Sequence, residues 1–260
     1  MSVPQAVGPD VRAGEFSGRS ILVTGAGSGI GLATTQLLVE RGARVVGVAR
    51  SAEGQRRIAS AGGEPVEADV TARVDRERLL AAAGSLDGLV VAHGQTTGQP
   101  LDAVTDADWD RLLDANLRSV FFLAQAVGPR LPDDGAMVFV ASTAAKTGTI
   151  PEVTVYAAAK AGVLSLTRSF ATAHAARGMR VNAITPGIID TPMQRRFLEM
   201  NGPLVGRTPN ELHADRLAAT PMHRAGTPTE CAEVILFLLS ARAAYLTGQA
   251  INVSGGFVTW

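Results

Sequence analysis

The sequence predicts an α/β protein whose single domain is built on a doubly wound parallel sheet, with helices on both faces. Three observations predict this fold class. Strand-like and helix-like segments alternate along the chain, and the first strand-like segment runs into a glycine-rich turn. In addition, 46% of the 260 residues are hydrophobic, which is ample for one substantial core. Such alternation favours parallel strands joined by right-handed crossovers.

The alternating segments follow each other in a regular order. Strands are predicted near 20–24, 44–48, 65–67, 88–92, 136–141, 179–184 and 249–252. Helices are predicted near 29–41, 52–60, 74–83, 106–130, 155–177 and 229–239. The stretch 191–228 breaks the alternation because prolines interrupt scattered apolar residues, so we expect a lid over the substrate rather than a core element. Residues 1–17 are expected to form a loose tail, and residues 18–260 one domain.

The first strand leads directly into a turn that suits a nucleotide. Ser20 to Thr24 is a short apolar run with β-branched residues, which is typical of a buried strand. The turn Gly25-Ala26-Gly27-Ser28-Gly29-Ile30-Gly31 follows, and a helical pattern begins after it. Glycines let a pyrophosphate approach the backbone, and a helix N-terminus offers free N–H groups to phosphates. Strand, glycine turn and helix in this order predict dinucleotide binding.

The end of the second strand bears on the choice of cofactor. An NAD-specific site needs a carboxylate there to accept hydrogen bonds from the adenosine ribose, and Ala49 supplies none. Arg50 follows at once and could clamp a 2′-phosphate, with Ser51 as a further donor. The alternative is that Arg50 is a solvated surface residue. We therefore expect NADP(H), with NAD(H) as the second choice.

Two polar side chains are placed where a ligand would bind. Ser142 ends the apolar strand Met137 to Ala141, and ligands of parallel sheets bind beyond the carboxyl ends of the strands. Asn116 lies inside the helical run from Trp109 to Val127 and could face the same crevice. Taken singly, Ser142 also fits a turn residue and Asn116 a surface or capping residue.

A phenol and an ammonium lie four residues apart in an alanine-rich helix. Tyr156 and Lys160 therefore share one helix face. A phenol has an ordinary pKa of about 10 and is a poor base at neutral pH. A cation held close by favours the phenolate and brings the group toward the range useful for proton transfer. The pair predicts an acid–base site, the alternative being an exposed lysine beside a half-buried tyrosine.

Composition excludes several classes of function. The formal net charge is +0, so nothing suggests a nucleic-acid or anionic-membrane surface. The single cysteine, Cys231, excludes an intrachain disulfide, fits a reducing cytoplasm and is expected to pack in a helix. No apolar run approaches the roughly 18 residues of a membrane span, and the N-terminus lacks a signal peptide pattern. We expect a cytoplasmic location and no metal site.

Together these segments resemble the short-chain dehydrogenase/reductase family, which has a Rossmann fold, from about Gly18 to the C-terminus. Thr24-Gly25-x-x-x-Gly29-Ile30-Gly31 is similar to the family's cofactor signature, and Tyr156-x-x-x-Lys160 is similar to its catalytic signature. Asn116 falls where the family places a fourth catalytic residue. The segment 182–191 resembles the one that holds the nicotinamide, and the segment 252–256 resembles the C-terminal strand and turn.

The resemblance implies an NAD(P)-dependent oxidoreductase acting on a small secondary alcohol or ketone. Tyr156 would exchange a proton with the substrate oxygen while hydride passes to or from the nicotinamide. Lys160 would lower the phenol's pKa and hydrogen-bond the ribose, Ser142 would polarise the substrate oxygen, and Asn116 would hold a water joining Lys160 to solvent. The implied cofactor-binding residues are Gly25, Gly27, Ser28, Gly29, Ile30, Gly31, Arg50, Ser51, Asp69, Val70, Gly94, Tyr156, Lys160, Pro186, Gly187, Ile189 and Thr191.

The resemblance also concerns the adenine site and the assembly. Asp69 and Val70 resemble the pair that flanks the adenine ring, with Asp69 accepting from the adenine amino group. Family members usually assemble into tetramers, so we expect a homotetramer or a homodimer. Phe257 and Trp260 are expected to pack at such an interface, where they could close a neighbour's pocket. Ser28 stands where NADP-binding members often have a second basic residue, which weakens the expectation of NADP(H).

Two positions depart from the family's pattern. The sequence Val91-Ala92-His93-Gly94 stands where the family usually has Asn-Asn-Ala-Gly. His93 could reach the cofactor's ribose, but a structural histidine at the strand end is the favoured interpretation. Thr143, not Ser142, stands at the usual distance before the tyrosine. We favour Ser142 because the strand runs directly into it and a one-residue loop insertion costs little.

Two functions of other kinds stay open at the level of sequence. A non-redox use of the fold, such as a lyase or dehalogenase, is disfavoured by the intact glycine turn and nicotinamide segment. A non-catalytic dinucleotide sensor is permitted by the altered residues 91–94, but the complete Ser, Tyr, Lys and Asn set argues against it. Arg195 and Arg196 could meet an anionic substrate, yet adjacent residues on a helix point apart, so solvated lid charges are favoured.

Overall fold

The strands form one sheet in which every neighbouring pair is parallel. The computed structural model describes residues 14–260. In that part of the chain the strands are β1 (Ser20–Thr24), β2 (Arg44–Ala49), β3 (Glu64–Glu67), β4 (Gly88–Val91), β5 (Ala136–Val140), β6 (Arg180–Pro186) and β7 (Ala250–Val253). Their order across the sheet is β3-β2-β1-β4-β5-β6-β7. The predicted doubly wound parallel sheet is confirmed.

Helices connect successive strands and close both faces of the sheet. Within residues 14–260 they are α1 (Gly29–Glu40), α2 (Ala52–Ser60), α3 (Arg73–Ala83), α4 (Asp106–Leu113), α5 (Ser119–Val127), α6 (Ala144–Thr147), α7 (Thr154–His174), α8 (Pro192–Asn201), α9 (Pro209–Ala218) and α10 (Pro228–Leu239). A π-helical turn, Asp114–Arg118, joins α4 to α5. None of these helices is long and apolar enough to cross a membrane.

Two separate cores lie on the two faces of the sheet, because successive side chains of a strand point to opposite sides. Leu22 of β1 faces a core shared with α3, α5 and α7, whereas Ile21 and Val23 face a second core shared with α1 and α10. Cys231 is fully buried in the second core, and burial raises the pKa of its thiol to about 12. The thiol is therefore protonated at neutral pH and serves as a small apolar side chain.

The order of the strands creates the crevice that a ligand needs. The chain runs from β1 to β2 but from β4 to β5, so the connections that leave these two neighbouring strands lead to opposite halves of the sheet. Loops leaving β1 and β4 therefore separate at their carboxyl ends and leave a gap. Thr24 of β1 lies level with Val48 of β2 and Val91 of β4, so all three strands end at one edge. The glycine turn and the loop after β4 both leave the sheet at this edge.

The stretch 191–228 is more regular than the sequence predicts. It contains α8 and α9, and three of its five prolines begin α-helices rather than interrupt them. Each of these prolines follows a threonine whose hydroxyl accepts a hydrogen bond from the third residue of the helix. Threonine at the N-cap and proline at the first helical position are both favoured there. The Thr-Pro pairs therefore mark helix starts, and the stretch is helical.

The inner end of the N-terminal segment packs onto the domain. Phe16 is 3% exposed and belongs to the second core, and Glu15 pairs with Arg41 and Arg242. The prediction of a loose tail up to residue 17 is therefore wrong for residues 14–17, because the sequence gives no sign that Phe16 finds an apolar cavity. The rest of the predicted tail, residues 1–13, lies outside the described residues. The division into tail and single domain otherwise stays a prediction.

The cap of α10 provides a direct test of how the Thr-Pro pairs act. Thr227 and Glu230 form a reciprocal capping box, in which each side chain accepts from the other's backbone N–H. Thr227→Ala should lower the free energy of unfolding by about 1 kcal/mol. Thr229→Ala, which removes a nearby threonine that has no capping bond, should change it by less than about 0.5 kcal/mol. Urea unfolding measures both, and equal losses would contradict the assignment.

Candidate active site

A cleft of about 700 Å³ opens at the carboxyl edge of the sheet. This volume lies in the range of sites for small ligands and cofactors. All the predicted cofactor-binding residues line it except Gly31, which lies in α1 against the main chain of Gly25. Of the predicted catalytic residues, Ser142, Tyr156 and Lys160 line the cleft, and Asn116 is fully buried behind Gly94. The fold thus brings together residues that are far apart in sequence.

The glycine turn is shaped by close packing of main chains. Gly25 has a φ of +68°, and a Cβ on it would lie 2.7 Å from the backbone nitrogen of His93. A side chain is therefore excluded by both conformation and space. The result is a bare backbone surface that runs into the N-terminus of α1 and leaves room for a pyrophosphate there. The residues present fit a dinucleotide.

The adenosine end of the cleft is lined by charged side chains from two loops. Arg50 lies 3.7 Å from Asp69, and both are substantially exposed. Asp69 also accepts hydrogen bonds from the backbone and hydroxyl of Thr71. Ser51 caps α2 by accepting from the backbone of Gly54, so its hydroxyl proton is free to be donated. These bonds hold in place, at one site, the side chains that are predicted to bind the ribose phosphate and the adenine.

A second arginine at this end is not among the residues that the sequence predicts. Arg57 lines the cleft from α2 and pairs with Glu53, one turn earlier, at 3.0 Å. The one sequence signal for Arg57 is that it lies in the helix that follows β2. That helix begins beside the last residues of the strand, where the ribose is expected to bind. Glu53 also pairs with Arg56 at 2.6 Å, so its charge is already compensated.

Asn116 sits in the π-helical turn between α4 and α5. Its side-chain oxygen accepts from the backbone N–H of Gln95, and its side-chain nitrogen donates to the carbonyls of Gln95 and Leu112. These bonds tie the loop after β4 to the helix. π-Helical turns within α-helices are frequent at functional sites. The role of holding a water stays a prediction.

Lys160 is a buried ammonium that forms no ion pair with a carboxylate in the described part of the chain. Its side chain is 4% exposed, and Nζ donates to the carbonyl oxygen of Val140, at the end of β5, at 2.8 Å. Burial lowers the pKa of Lys160 to about 8. A Cβ on Gly94 would lie 2.7 Å from Oδ1 of Asn116 and 3.4 Å from Nζ. Gly94 therefore keeps the space between the two side chains open.

Tyr156 lies beside Lys160 with its ring near the ammonium. The Nζ atom is 5.8 Å from the centre of the ring. Burial raises the pKa of the Tyr156 phenol, and its hydrogen bond with Ser142 offsets part of that rise. The sequence predicts a lowered pKa, and the structure shows the opposite because removal from water outweighs the neighbouring groups. The phenol is protonated at neutral pH.

Ser142 and Thr143 differ in what their side chains can do. Ser142 hydrogen-bonds Tyr156, and its hydroxyl oxygen accepts from the backbone N–H of Ala144. Thr143 is 7% exposed, and its backbone bonds to Pro186 and to the first turn of α6. Both residues border the cleft, and of the two it is Ser142 that hydrogen-bonds the phenol. This arrangement favours Ser142 as the hydroxyl that meets the substrate.

His93 bridges a strand and a helix. Its Nδ1 is 2.7 Å from the hydroxyl of Thr24, and its Nε2 is 2.8 Å from the hydroxyl of Ser119. In a neutral imidazole one ring nitrogen donates and the other accepts, so the uncharged ring bonds to both hydroxyls. Burial, and then the charge of Lys160, lower the pKa of His93 to about 3. A neutral, structural histidine fits these contacts.

The stretch 191–228 contributes apolar and basic groups to the cleft. Phe197 of α8 packs in one cluster with Val153 and Tyr156, and the guanidinium of Arg216 lies over its ring, 4.3 Å from the centroid. Phe197 and Arg216 both line the cleft. Arg195 and Arg196 do not: Arg195 pairs with Asp190 in solvent, and Arg196 is exposed outside the cleft. No sequence motif points to Arg216.

The C-terminal segment returns to the cleft. Phe257 lines the cleft and is 39% exposed, and Trp260 is 72% exposed. Lys146 donates to the side chain of Asn252 and to the main-chain oxygen of Trp260 at 2.8 and 2.7 Å. The segment is thus held beside the chain's own site. Packing of the two aromatic residues against a neighbouring copy stays a prediction.

Fold and site together define a nicotinamide-dependent oxidoreductase. The family model described as enoyl-(acyl carrier protein) reductase matches residues 25–258. The chain belongs to the short-chain dehydrogenase/reductase family, as the resemblance of its motifs predicts. The family binds a nicotinamide cofactor, so the chain is an NAD(P)-dependent oxidoreductase, and the non-redox and sensor alternatives are disfavoured.

Relatives of this chain act in different reactions. It is 37% identical over 255 residues to 3-oxoacyl-[acyl-carrier-protein] reductase FabG of Thermotoga maritima, covering 94% of this chain and 99% of that protein. It is 38% identical over 262 residues to galactitol 2-dehydrogenase of Rhizobium johnstonii, covering 94% and 97%. These names agree on the family and differ in substrate.

Solved structures give the same answer for the fold. Levodione reductase superposes with a TM-score of 0.87 at 32% identity, covering 93% of this chain and 98% of that one. A variant of actinorhodin polyketide ketoreductase with NADPH gives 0.88 at 32% identity, covering 95% and 100%. The sheet and surrounding helices are therefore those of the family.

The neutral state of His93 has a measurable consequence for stability. Its folded-state pKa of about 3 lies below the ordinary 6.5, so the stability it contributes is complete above pH 6.5 and is lost as pH falls. Between pH 6.5 and 5, His93 should make the free energy of unfolding fall by up to about 1.4 kcal/mol for each unit by which the pH is lowered. His93→Asn should remove this contribution to the pH dependence. Urea unfolding at several pH values measures it.

A matched control separates His93 from histidines in general. His223 is exposed and adopts a φ of +48°, which asparagine tolerates. His223→Asn should keep the wild-type slope. If both variants had the wild-type slope, His93 would not be held neutral by its surroundings.

Proposed function

We propose that this chain is an NADP(H)-preferring carbonyl reductase and alcohol dehydrogenase that interconverts a secondary alcohol and a ketone. The observation that carries the proposal is the convergence of Ser142, Tyr156 and Lys160 on the cleft that the glycine turn also lines. A bound nicotinamide would supply or accept the hydride. The protein's contribution is then to position the carbonyl and to exchange one proton.

Tyr156 serves as the proton donor in the direction of reduction. Burial raises the pKa of its phenol, so the proton is present at neutral pH and available to the oxygen of a ketone as that oxygen gains charge. The hydroxyl of Ser142 contacts the same phenol and can donate to the same oxygen. Two donors directed at one oxygen stabilise the developing alkoxide.

Lys160 and Asn116 support this proton transfer from positions next to the phenol and the loop after β4. The Lys160 ammonium, with a pKa of about 8, is largely charged at neutral pH and lies near the ring of Tyr156. It uses one donor on Val140 and has two left for ribose hydroxyls and the phenol oxygen. Asn116 fixes the loop after β4 that borders this space, and a water held there would connect Lys160 to solvent.

The preference for NADP(H) follows from charges at the adenosine end. Ala49 leaves the ribose without a carboxylate at the end of β2, and Arg50, Ser51 and Arg57 border the space where a 2′-phosphate would lie. Arginine binds phosphate through paired N–H groups. The nearby carboxylate of Asp69 is compensated by Arg50. The NADPH in the related ketoreductase structure is consistent with this choice.

Assembly and location complete the proposal. A homotetramer or homodimer would cover the exposed Phe257 and Trp260, which a monomer leaves in solvent. The formal net charge of +0 and the family relationship support action on small molecules in the cytoplasm, with no role for nucleic acid. Size-exclusion chromatography with light scattering on the chain shortened after Gly256 tests the contribution of the two aromatic residues.

Removal of the phenol oxygen tests the proposed proton donor. Tyr156→Phe should lower the rate of NADPH oxidation with small ketones by about 10²- to 10⁴-fold, because no other group at the site can supply the proton as well. NADPH affinity, measured by fluorescence, should change less than about threefold. The control is Tyr245→Phe, which removes a fully exposed phenol and should leave turnover unchanged. Near-wild-type turnover of Tyr156→Phe would overturn the assignment.

Removal of the guanidinium at the adenosine end tests cofactor choice. Arg50→Gln should weaken NADPH binding by about tenfold or more, the value of a charge-assisted hydrogen bond, and leave NADH binding unchanged. Arg73→Gln removes an exposed arginine of α3 that does not line the cleft and whose partner, Glu77, does not line it either, and it should leave both affinities unchanged. If Arg50→Gln weakened neither cofactor, Arg50 would be a solvated surface residue.

A further inference from the structure

The helical stretch 191–228 contains a sheltered arginine with no carboxylate to neutralise it. Arg216 of α9 lines the cleft, and burial lowers the pKa of its guanidinium to about 10, so it stays charged at neutral pH. Within residues 14–260 no carboxylate lies within 4 Å of it. Three of the other four arginines of the stretch do pair: Arg195 with Asp190, Arg207 with Asp215 and Arg224 with Glu230. The fourth, Arg196, is exposed and does not line the cleft. Removing the charge of Arg216 from water therefore costs free energy that no ion pair in the described chain offsets.

The contacts of Arg216 orient it rather than neutralise it. Its Cζ lies 4.3 Å from the centre of the Phe197 ring, and one terminal nitrogen donates to Oε1 of Gln194 at 3.3 Å. Stacking on an aromatic ring holds the guanidinium plane but leaves its edge free for hydrogen bonds. A guanidinium has five N–H donors, and among the described residues only this one bond uses any of them.

Gln194 adds a second unsatisfied donor to the same place. Because its Oε1 accepts from Arg216, its Nε2 is left to donate, and that nitrogen is buried without a partner in the described chain. Gln194 also lines the cleft. A buried donor without an acceptor costs about 1 to 3 kcal/mol. The pair thus presents several donors and no acceptor, which is the complement of an oxyanion.

An apolar wall joins this pair to the proposed proton donor. Phe197, which contacts Arg216, packs in one cluster with Val153 and Tyr156. Ile150 adds to the cluster and also lines the cleft. A ligand with its carbonyl oxygen at Tyr156 would therefore lie along apolar side chains and end at the guanidinium. A short carbon chain with an anionic end has that distribution of polarity.

We propose that Arg216 and Gln194 bind the carboxylate of the substrate, and that the substrate class is oxo-carboxylic acids and the corresponding hydroxy acids. The planar fork of a guanidinium matches a carboxylate through two parallel hydrogen bonds. The inference rests on the proposed carbonyl reduction and names its substrate. The same donors could meet a phosphate of the cofactor instead, and the experiment separates the two sources.

Turnover of matched acids and amides tests the inference. The wild-type chain should oxidise NADPH with methyl-ketone carboxylic acids of increasing chain length at a kcat/KM at least about tenfold above that for the corresponding amides. Arg216→Met, which keeps an apolar side chain on Phe197, should remove that preference by lowering the value for acids alone. Gln194→Met should also lower the kcat/KM for acids, but by a smaller factor. Equal activity on acids and amides, or an equal loss on both in Arg216→Met, would overturn the inference.

A control variant and a binding measurement distinguish a carboxylate site from a cofactor-phosphate site. Arg196→Met removes an arginine that does not line the cleft and should keep the wild-type preference for acids. NADPH affinity, followed by fluorescence, should be unchanged in Arg216→Met. A loss of NADPH affinity would mean that the arginine meets a cofactor phosphate, and would overturn the inference.

Binding without turnover keeps the two proposals distinguishable. If no compound in the series is reduced, carbonyl reduction of this class fails as the function. Thermal stabilisation by the same acids, present in the wild-type chain with NADP⁺ and absent in Arg216→Met, would still support the carboxylate site. Absence of stabilisation by acids in the wild-type chain, together with absence of turnover, would overturn the site as well.

Discussion

The buried charge of Lys160 is the constraint on which the rest of the site depends. An ammonium that is 4% exposed and has no carboxylate partner in the described chain must be held by neutral groups. The end of β5 supplies the carbonyl of Val140, and Gly94 leaves the space beside Nζ free. Asn116 ties down the loop that carries Gly94. Strand, loop and π-helical turn are thus positioned around a single charge.

That charge also affects the protonation of its neighbours. His93 is kept neutral by burial and by Lys160, and Tyr156 keeps its proton because burial outweighs its other contacts. By the pH at which a phenol would normally ionise, Lys160, with a pKa of about 8, has lost its own proton and cannot stabilise a phenolate. A second sheltered cation lies at Arg216. Besides the exposed arginines at the adenosine end, the cleft therefore has sheltered positive charge at two places, Lys160 beside the phenol and Arg216 beside Phe197.

Sequence patterns predict the parts of this structure that are local. The glycine turn and the Tyr156–Lys160 spacing depend on a few consecutive residues, and both lie where the sequence predicts them. The helices of 191–228 are harder to predict, because proline suggests a break unless the threonine before it is recognised as a cap. Arg216 and the raised pKa of Tyr156 depend on burial and on partners from distant segments, which no local pattern encodes. The burial of Phe16 depends on such partners too.

The ionisation of Tyr156 itself tests the central claim most directly. The chain has two tyrosines, so Tyr245→Phe leaves Tyr156 as the only phenol whose ultraviolet absorption changes on ionisation. Without cofactor, we expect no phenolate up to about pH 10, the ordinary pKa of a phenol, because Tyr156 is buried and Lys160 is by then uncharged. With saturating NADP⁺, which would satisfy the ammonium and keep it charged, phenolate should form at lower pH, and Lys160→Met should abolish this shift. Phenolate formed in the free protein below the ordinary phenol pKa would contradict the account.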